Sequence, residues 1–236
     1  MLQSTYRNKR VFITGHTGFK GGWLVYILNH LGAEVKGYAL EPRERSFYNL
    51  LKMGNFGESV IADIREQKKL ETEITKFKPD FIFHLAAQPL VLASYDDPVG
   101  TYATNVMGTA HLLNAVRKLD QKYNVVAITT DKVYENFEAD YHYKESDRLG
   151  GYDPYSNSKA CTELVCASFR SSFFNPAKFK AHGKCIATAR SGNVIGGGDW
   201  SEDRIIPDLM RALENDERLW IRSPQSIRPW QHLLDP

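Results

Sequence analysis

The sequence lacks the features that mark secreted, membrane-spanning and nucleic-acid-binding proteins. Its three cysteines, Cys161, Cys166 and Cys185, show no CxxC spacing and no histidine partners at metal spacing, which favours reduced thiols, no metal site and a cytoplasmic protein. No apolar run approaches the roughly 20 residues that a transmembrane helix needs, and the polar start MLQSTYRNKR lacks the apolar core of a secretory signal. The formal net charge of +2 is too small to indicate nucleic acid or a membrane surface as a partner.

What the sequence does contain is a regular alternation of strand and helix patterns. The β-prone runs are RVFIT, AEVKGYAL, DFIFHLAA, NVVAITT and KCIATAR. Segments with apolar residues at helical spacing separate them; the segment from Tyr155 to Phe174, for example, has Leu164, Val165, Ser168 and Phe169 on one helical face. The alternation predicts an α/β protein with a Rossmann-like, doubly wound parallel sheet that is covered by helices on both faces.

The regularity gives way to loops after about Gly192, where glycine and proline become frequent. We therefore predict a dinucleotide-binding domain over residues 1–192 and, over residues 193–236, the start of a smaller substrate-binding region. The sequence stops at RPWQHLLDP, directly after an apolar stretch and without a helix stop, so we expect a truncated chain.

The segment GHTGFKG, from Gly15 to Gly21, lies between the first strand and the first amphipathic helix. Gly15 would allow a tight turn, Gly18 a close approach of the backbone to a pyrophosphate, and Gly21 close packing of the helix on the sheet. The helix N-terminus would then offer free N–H groups to the phosphates. A simple strand-to-helix turn is the alternative, but the context favours dinucleotide binding.

The choice between NAD and NADP depends on the residues after the second strand. The segment LEPRER contains Glu41, which would bind ribose hydroxyls, but also Arg43 and Arg45, which would accept a 2′-phosphate. Asp63 in IADIRE is a candidate for the adenine end of the site and equally for a helix cap. The sequence therefore leaves this choice open.

Two pairs of residues could carry acid–base chemistry. In YSNSK, Tyr155 and Lys159 lie four residues apart on one face of a predicted helix, where a nearby ammonium and a cationic nicotinamide would lower the tyrosine pKa. At the end of the strand NVVAI, the segment TTDK places the acid Asp131 beside Lys132. That second pair is either a surface ion pair or a proton-handling site.

Together these motifs resemble the extended short-chain dehydrogenase/reductase superfamily and, more narrowly, the CDP-glucose 4,6-dehydratase family. The similarity rests on TGHTGFKGGW, HLAAQPLV, TTDKVYEN, GGYDPYSNSK, GNVIGGGDW and RPWQHLLDP, and it extends from about Val11 to Pro236. Related dehydratases that act on dTDP-glucose carry Asp-Glu where this chain has Asp131 and Lys132, so TDK is the more specific element. The family's chains are longer, with a C-terminal region that completes a nucleotide-sugar domain.

The resemblance implies a lyase that removes water from CDP-D-glucose to give CDP-4-dehydro-6-deoxy-D-glucose, with tightly held NAD as a recycled hydride carrier. Tyr155, aided by Lys159, would take the proton of the sugar 4-hydroxyl, while Thr130 would hydrogen-bond the 4-oxygen. Asp131 would protonate the departing 6-hydroxyl, and Lys132 would stand where related enzymes keep the base for C5. A lysine base must be neutral, which requires burial or a cationic neighbour, so an ion-pairing or phosphate-positioning role for Lys132 also stays open.

The resemblance also assigns residues to the cofactor and the substrate. Cofactor contacts are implied for Gly15, Thr17, Gly18, Phe19, Lys20, Gly21, Glu41, Asp63, Ile64, Leu85, Ala86, Ala87, Thr104, Tyr155 and Lys159. Substrate contacts are implied for Gln88, Asn193, Arg204 and Arg228. The family further implies a cytoplasmic homodimer that serves deoxysugar (lipopolysaccharide O-antigen) biosynthesis and pairs through the helices beginning near Thr101 and Tyr155.

Two other functions fit parts of the sequence. A nucleotide-sugar epimerase or reductase of the same fold would need Tyr155 and Lys159 but no acid beside Thr130, so TDK argues against it. A non-catalytic dinucleotide-binding protein would keep GHTGFKG without needing Asp131 and Lys132 as well.

Overall fold

The computed structural model describes residues 2–235, and its centre is a six-stranded sheet with the order β3-β2-β1-β4-β5-β6. The strands are β1 Arg10–Thr14, β2 Glu34–Ala39, β3 Glu58–Ile61, β4 Phe81–His84, β5 Tyr123–Ile128 and β6 Lys184–Ala189. Each neighbouring pair is parallel. This order confirms the predicted doubly wound sheet, and its switch point between β1 and β4 places a ligand crevice at the carboxyl ends of those strands.

Helices pack on both faces of the sheet. They are α1 Leu2–Tyr6, α2 Phe19–His30, α3 Phe47–Leu50, α4 Gln67–Phe77, α5 Val91–Asp96, α6 Pro98–Tyr102, α7 Gly108–Arg117, α8 Pro154–Ser172, α9 Phe179–His182 and α10 Ile205–Glu214. A π-helical segment, Ala103–Met107, joins α6 to α7. Within residues 2–235, no helix is both long enough and apolar enough to cross a membrane.

Two elements go beyond those that the sequence patterns predict. Strand β3 lies at the sheet edge and its residues are mostly exposed, so it has no strong hydrophobic pattern. Helix α4 buries Leu70, Ile74 and Phe77, a spacing of four and three residues that does indicate a helix.

Strand β1 shows how the sheet is buried on both faces. Phe12 packs in one core cluster with Leu70 of α4 and Leu112 of α7, whereas Val11 and Ile13 pack in a second cluster with residues of α2. All three β1 side chains are fully buried. Because side chains alternate along a strand, a central parallel strand that is covered on both faces reads as one continuous apolar run.

Helix α8, which carries YSNSK, buries a largely polar face. Its buried residues are Ser156, Ser158, Lys159, Ala160, Thr162, Glu163 and Cys166. Of the residues that share one face in its sequence pattern, Leu164 is 58% exposed, and Val165 and Phe169 pack only partly against the core. The polar face points to the ends of β5 and β6, where it finds hydrogen-bond partners.

Beyond residue 192 the chain leaves the main sheet. The strands β7 Asn193–Ile195 and β8 Trp230–His232 form a separate parallel pair. The loop after β7 also contacts the first part of the chain, because Trp23 Nε1 donates to the Gly197 carbonyl oxygen at 2.9 Å. A domain boundary at residue 192 therefore stays a prediction.

Candidate active site

The loop between β1 and α2 depends on its glycines. Gly15 has a φ of +77°, and a Cβ there would stand 2.7 Å from the Ala86 nitrogen. Gly21 lies so close to the loop that a Cβ would overlap the Gly15 carbonyl oxygen. Gly18 is the N-cap of α2, with extended backbone and no side-chain cap. The first turn of α2 therefore presents uncapped N–H groups, which can bind an anion.

A chain of buried hydrogen bonds fixes the strand ends beneath this loop. The Ala86 N–H donates to Thr14 Oγ1 at 3.1 Å, and the Thr14 hydroxyl lies 2.7 Å from His84 Nδ1. On the other side of the ring, His84 Nε2 lies 2.9 Å from Thr109 Oγ1, whose hydroxyl donates to the Asn105 carbonyl oxygen. Since both hydroxyls are oriented by their other partners, His84 is a neutral imidazole with its hydrogen on Nε2. Burial, with the nearby Lys159 charge, lowers the pKa of His84 to about 3.

A cleft of about 480 Å³ opens along the carboxyl ends of the strands. The residues predicted to bind the cofactor all line it: Gly15, Thr17, Gly18, Phe19, Lys20, Gly21, Glu41, Asp63, Ile64, Leu85, Ala86, Ala87, Thr104, Tyr155 and Lys159. The uncapped helix N-terminus and the glycines that leave its approach clear suit a dinucleotide. The residues present therefore fit a nicotinamide dinucleotide.

At one end of the cleft, charged residues surround the predicted adenosine site. Glu41 and Arg43 line it. Arg45 lines it as well, and its guanidinium makes two hydrogen bonds of 2.8 and 2.7 Å to Glu214. Asp63 accepts hydrogen bonds from Arg65, which lower the Asp63 pKa. Asp63 does not cap α4, because that helix begins at Gln67 with N-cap Glu66.

The other end of the cleft holds Tyr155 and Lys159 on the first turns of α8. The helix begins after Asp153, whose carboxylate accepts from the Ser156 N–H at 2.9 Å. The Lys159 ammonium donates to the Ile128 carbonyl oxygen at 3.0 Å, and burial lowers the pKa of Lys159 to about 8. Lys159 therefore lies beside the end of β5, and the pair lies on the helix that the motif spacing predicts.

The pKa of Tyr155 differs from the sequence-based expectation. Burial raises it, while a hydrogen bond with the Thr130 side chain and the positive charge of Arg204 act in the opposite direction. The protein's own groups thus leave Tyr155 protonated at neutral pH, and a cationic ligand beside the ring would favour the phenolate.

The TTDK segment forms a 3₁₀ turn, Asp131–Val133, that is capped by Thr130. The Thr130 hydroxyl donates to Asp131 Oδ1 at 2.9 Å. Lys132 Nζ lies 3.8 Å from Asp131 Oδ1, with the two side chains 34% and 32% exposed, and 3.4 Å from Asn193 Oδ1. Asp131 and Lys132 therefore form a partly exposed ion pair. The Asp131 carboxylate also accepts from the Thr130 hydroxyl, which lies near Tyr155.

The remaining predicted substrate residues differ in placement. Arg204 lines the cleft and pairs with Asp199 at 3.0 Å. The Gln88 amide is engaged within the fold, because it donates to the Leu90 carbonyl oxygen and to Thr101. Arg228 is exposed and donates to its neighbouring carbonyl oxygen. Contacts of Gln88 and Arg228 with a substrate stay predictions.

Glu163 and Arg190, which form an ion pair next to the site, were not singled out in the sequence analysis. Glu163 is 5% exposed, lies one turn after Lys159 and pairs with Arg190 at 2.9 Å. The spacing of Tyr155, Lys159 and Glu163, four residues each, was the signal that could have indicated a third polar group on the same helical face.

The fold and the cleft define a Rossmann-type α/β protein with a Tyr-x-x-x-Lys pair at one end of a cleft that suits a dinucleotide. A family model described as GDP-mannose 4,6 dehydratase matches residues 12–235. The chain belongs to this family, which confirms the resemblance to the extended short-chain dehydrogenase/reductase superfamily.

Individual relatives agree with this assignment. The CDP-glucose 4,6-dehydratase of Salmonella typhimurium is 54% identical over 232 residues, which are 98% of this chain but 65% of that protein. The dTDP-glucose 4,6-dehydratase DesIV of Streptomyces venezuelae, solved with NAD and TYD bound, is 26% identical with a TM-score of 0.79, over 96% of this chain and 69% of that one. An epimerase of Methanothermobacter thermautotrophicus shares the fold, with a TM-score of 0.84 at 24% identity over 99% of this chain and 67% of that one. The chain thus spans about two thirds of the length of these proteins.

Proposed function

We propose that this chain carries the cofactor-binding and catalytic part of a lyase that removes water from CDP-D-glucose and yields CDP-4-dehydro-6-deoxy-D-glucose. The observation that carries the proposal is the arrangement at the end of β5, where the Thr130 hydroxyl contacts both Tyr155 and Asp131. One hydroxyl thus joins the predicted base for oxidation to the predicted acid for elimination. The 54% identity with the Salmonella CDP-glucose 4,6-dehydratase supports the choice of substrate.

NAD is the proposed cofactor. Gly18 and the first turn of α2 would bind its pyrophosphate. Glu41 would repel a 2′-phosphate and Arg45 is already paired with Glu214, whereas Arg43, which also lines the cleft, is the residue that would accept such a phosphate in NADP. When bound, NAD would supply the acceptor for the C4 hydride and the donor that returns it to C6. Calorimetric titration should give tighter binding of NAD than of NADP, and the reverse order would overturn the assignment.

Proton transfer at the sugar 4-oxygen is assigned to Tyr155. Thr130 would orient the 4-oxygen, and the ammonium of Lys159, held by the Ile128 carbonyl oxygen, would stabilise the phenolate electrostatically. General-base catalysis of this kind contributes typically about 10²–10⁴-fold. Oxidation at C4 then makes the C5 proton acidic.

Elimination is assigned to the TDK segment. Asp131 is about one third exposed, so it can take up a proton and deliver it to the departing 6-hydroxyl. Lys132 is the proposed acceptor of the C5 proton. Because its ammonium lies 3.8 Å from Asp131 Oδ1, it can act as a base only after giving up a proton, which the Asp131 carboxylate would take up and then deliver to the departing 6-hydroxyl. A Lys132→Met variant that keeps full turnover would remove this role.

Arg204 is the proposed contact to the substrate pyrophosphate, since it lies at the cleft with its guanidinium held by Asp199. Asn193, Arg228 and Gln88 are proposed to contact the nucleotide-sugar as well. If Arg204→Gln loses affinity for the substrate and keeps its affinity for NAD, Arg204 contacts the substrate and not the cofactor.

The function is tested with the protein in the longest form that its gene encodes. CDP-glucose and dTDP-glucose are incubated in parallel with the protein and NAD, and the 4-keto-6-deoxy product is followed by its absorbance in alkali. We expect product mainly from CDP-glucose, formed about 10²-fold or more slowly by the matched Tyr155→Phe control. Conversion of the sugar to its 4-epimer without loss of water would instead establish the epimerase alternative.

The proposal also includes a homodimer and a cytoplasmic location. Large apolar side chains are exposed on three neighbouring helices: Leu92 on α5, Val99 on α6 and Leu164 on α8. Such a surface is typical of a subunit contact. Light scattering should give the mass of two chains, with Val99→Asp shifting it to one; fractionation of cells would test the location.

A further inference from the structure

Three polar residues on one face of α8 contact consecutive residues at the end of β5. The Thr130 side chain lies close enough to Tyr155 to affect the pKa of its hydroxyl, and Lys159 Nζ donates to the Ile128 carbonyl oxygen at 3.0 Å. One turn further, Glu163 Oε1 accepts from the Thr129 hydroxyl at 2.6 Å. The first two residues have proposed catalytic roles, whereas the third lies below the cleft.

The Glu163 carboxylate is fully engaged by the fold. Besides Thr129, it accepts from the Thr188 hydroxyl at 2.8 Å and from Arg190 Nε at 2.9 Å. Burial raises the pKa of Glu163, but the hydrogen bonds from Arg190, Thr129 and Thr188 outweigh it and hold the pKa below its usual range. A permanent negative charge therefore lies at the junction of α8, β5 and β6.

Arg190 extends this junction to the loop that follows the TDK turn. Its Nη1 donates to the Tyr134 hydroxyl at 2.8 Å, and its guanidinium lies 4.9 Å from the centroid of the Tyr134 ring. Tyr134 comes two residues after Lys132, so the pair of Glu163 and Arg190 connects the helix that carries the base with the turn that carries the acid.

We propose that Glu163, held by Arg190, is a positioning residue: its hydrogen bonds fix α8 in register with the end of β5, and its negative charge acts on the Lys159 ammonium one helical turn away. The catalytic part of this inference rests on the proposed function. Its electrostatic part concerns Lys159 alone and can be measured without substrate.

The groups around Lys159 make the sign of the effect definite. Burial lowers the Lys159 pKa to about 8; Cys166 opposes burial, the charge of Lys20 on α2 acts in the same direction as burial, and the charge of Glu163 raises the pKa by the smallest amount of these. His84 on β4 is neutral because burial lowers its pKa. Cys166, whose pKa burial raises to about 12, is a neutral thiol near pH 8. Loss of the Glu163 charge must therefore lower the Lys159 pKa further.

The variant Glu163→Gln keeps the shape of the side chain and removes its charge. In protein labelled with [ε-¹³C]lysine, with the signal assigned through Lys159→Arg, we expect the Lys159 pKa to fall measurably below that of the wild type, because a negative charge that favours the ammonium is lost. Thr188→Val is the matched control, since it removes one hydrogen bond from the same carboxylate and leaves the charge, so the pKa should stay near that of the wild type.

A second variant distinguishes an effect of the Glu163 charge on Lys159 from a general loss of protein stability. Glu163→Gln combined with Arg190→Gln removes both buried charges, which relieves the cost of an unpaired ion, so it should be more stable to urea than Glu163→Gln alone. Because the positive charge of Arg190 is lost as well, its Lys159 pKa should lie between that of the wild type and that of Glu163→Gln, and the alkaline limb of the oxidation rate should move to lower pH in the same order.

The outcomes are distinguishable. A folded Glu163→Gln protein with an unchanged Lys159 pKa overturns the inference, and so does failure of both variants to fold, because Glu163 would then serve stability alone. A lowered pKa in a protein whose wild type does not dehydrate CDP-glucose would leave the electrostatic role standing and reject the proposed function.

Discussion

His84 should make the stability of this protein sensitive to mild acid. The ring is buried between the hydroxyls of Thr14 and Thr109, and burial lowers its pKa to about 3 from about 6.5 in an unfolded chain. The unfolded chain therefore binds a proton first, so the stabilisation is complete above pH 6.5 and is lost as the pH falls towards 3. Each proton that the unfolded chain binds in excess lowers the free energy of unfolding by about 1.4 kcal/mol per pH unit. Over the whole difference between the two pKa values of His84, the loss amounts to about 5 kcal/mol.

A second histidine adds to this effect. Burial lowers the pKa of His16 to about 4, so the two residues together should give a slope of about 2.7 kcal/mol per pH unit below pH 6. Between pH 6 and 5 most carboxylates, with ordinary pKa values near 4, stay ionised. Between pH 6 and 5, the pH dependence of the unfolding free energy therefore comes mainly from these two histidines.

The assay is urea unfolding at several pH values in this window. In His84→Gln the slope of unfolding free energy against pH should fall by about half, or about 1.4 kcal/mol per pH unit. The exposed residue His142 provides the control, because His142→Gln should leave the slope unchanged. A slope in His84→Gln equal to that of the wild type would refute the assignment of a neutral, hydrogen-bonded imidazole.

Three further predictions concern the site. Tyr155→Phe should leave NAD affinity nearly intact and slow sugar oxidation by about 10²-fold or more; near-normal turnover would exclude Tyr155 as the base. Asp131→Asn should still reduce bound NAD on mixing with CDP-glucose, stall with the 6-hydroxyl in place, and regain turnover with fluoride at C6; a block of NAD reduction with no rescue would make Asp131 structural. Gly21→Ala should weaken NAD binding in calorimetry, since its Cβ would overlap the Gly15 carbonyl oxygen, whereas Gly54→Ala, with its nearest neighbour at 3.8 Å, should not.

Features that depend on neighbouring residues could be predicted from the sequence alone. The strand RVFIT, the loop GHTGFKG and helix α2 are consecutive, so the apolar run and the glycine spacing together indicate a phosphate-binding turn. Helical periodicity likewise places Tyr155 and Lys159 on one face. The alternation of strands and helices indicated the parallel sheet for the same reason, because parallel strands need a crossover between them.

Only the tertiary structure decided what surrounds these residues. Glu163 is buried against Arg190, 27 residues away, and Lys20 donates to Ser191, 171 residues away. The sequence shows that polar residues share a face of α8, but the partners that make a buried carboxylate stable come from β5 and β6. Burial and charge at a site depend on segments that are distant along the chain, so the pKa of Lys159, the exposure of Asp131 and the engagement of Gln88 within the fold follow from packing and not from local sequence.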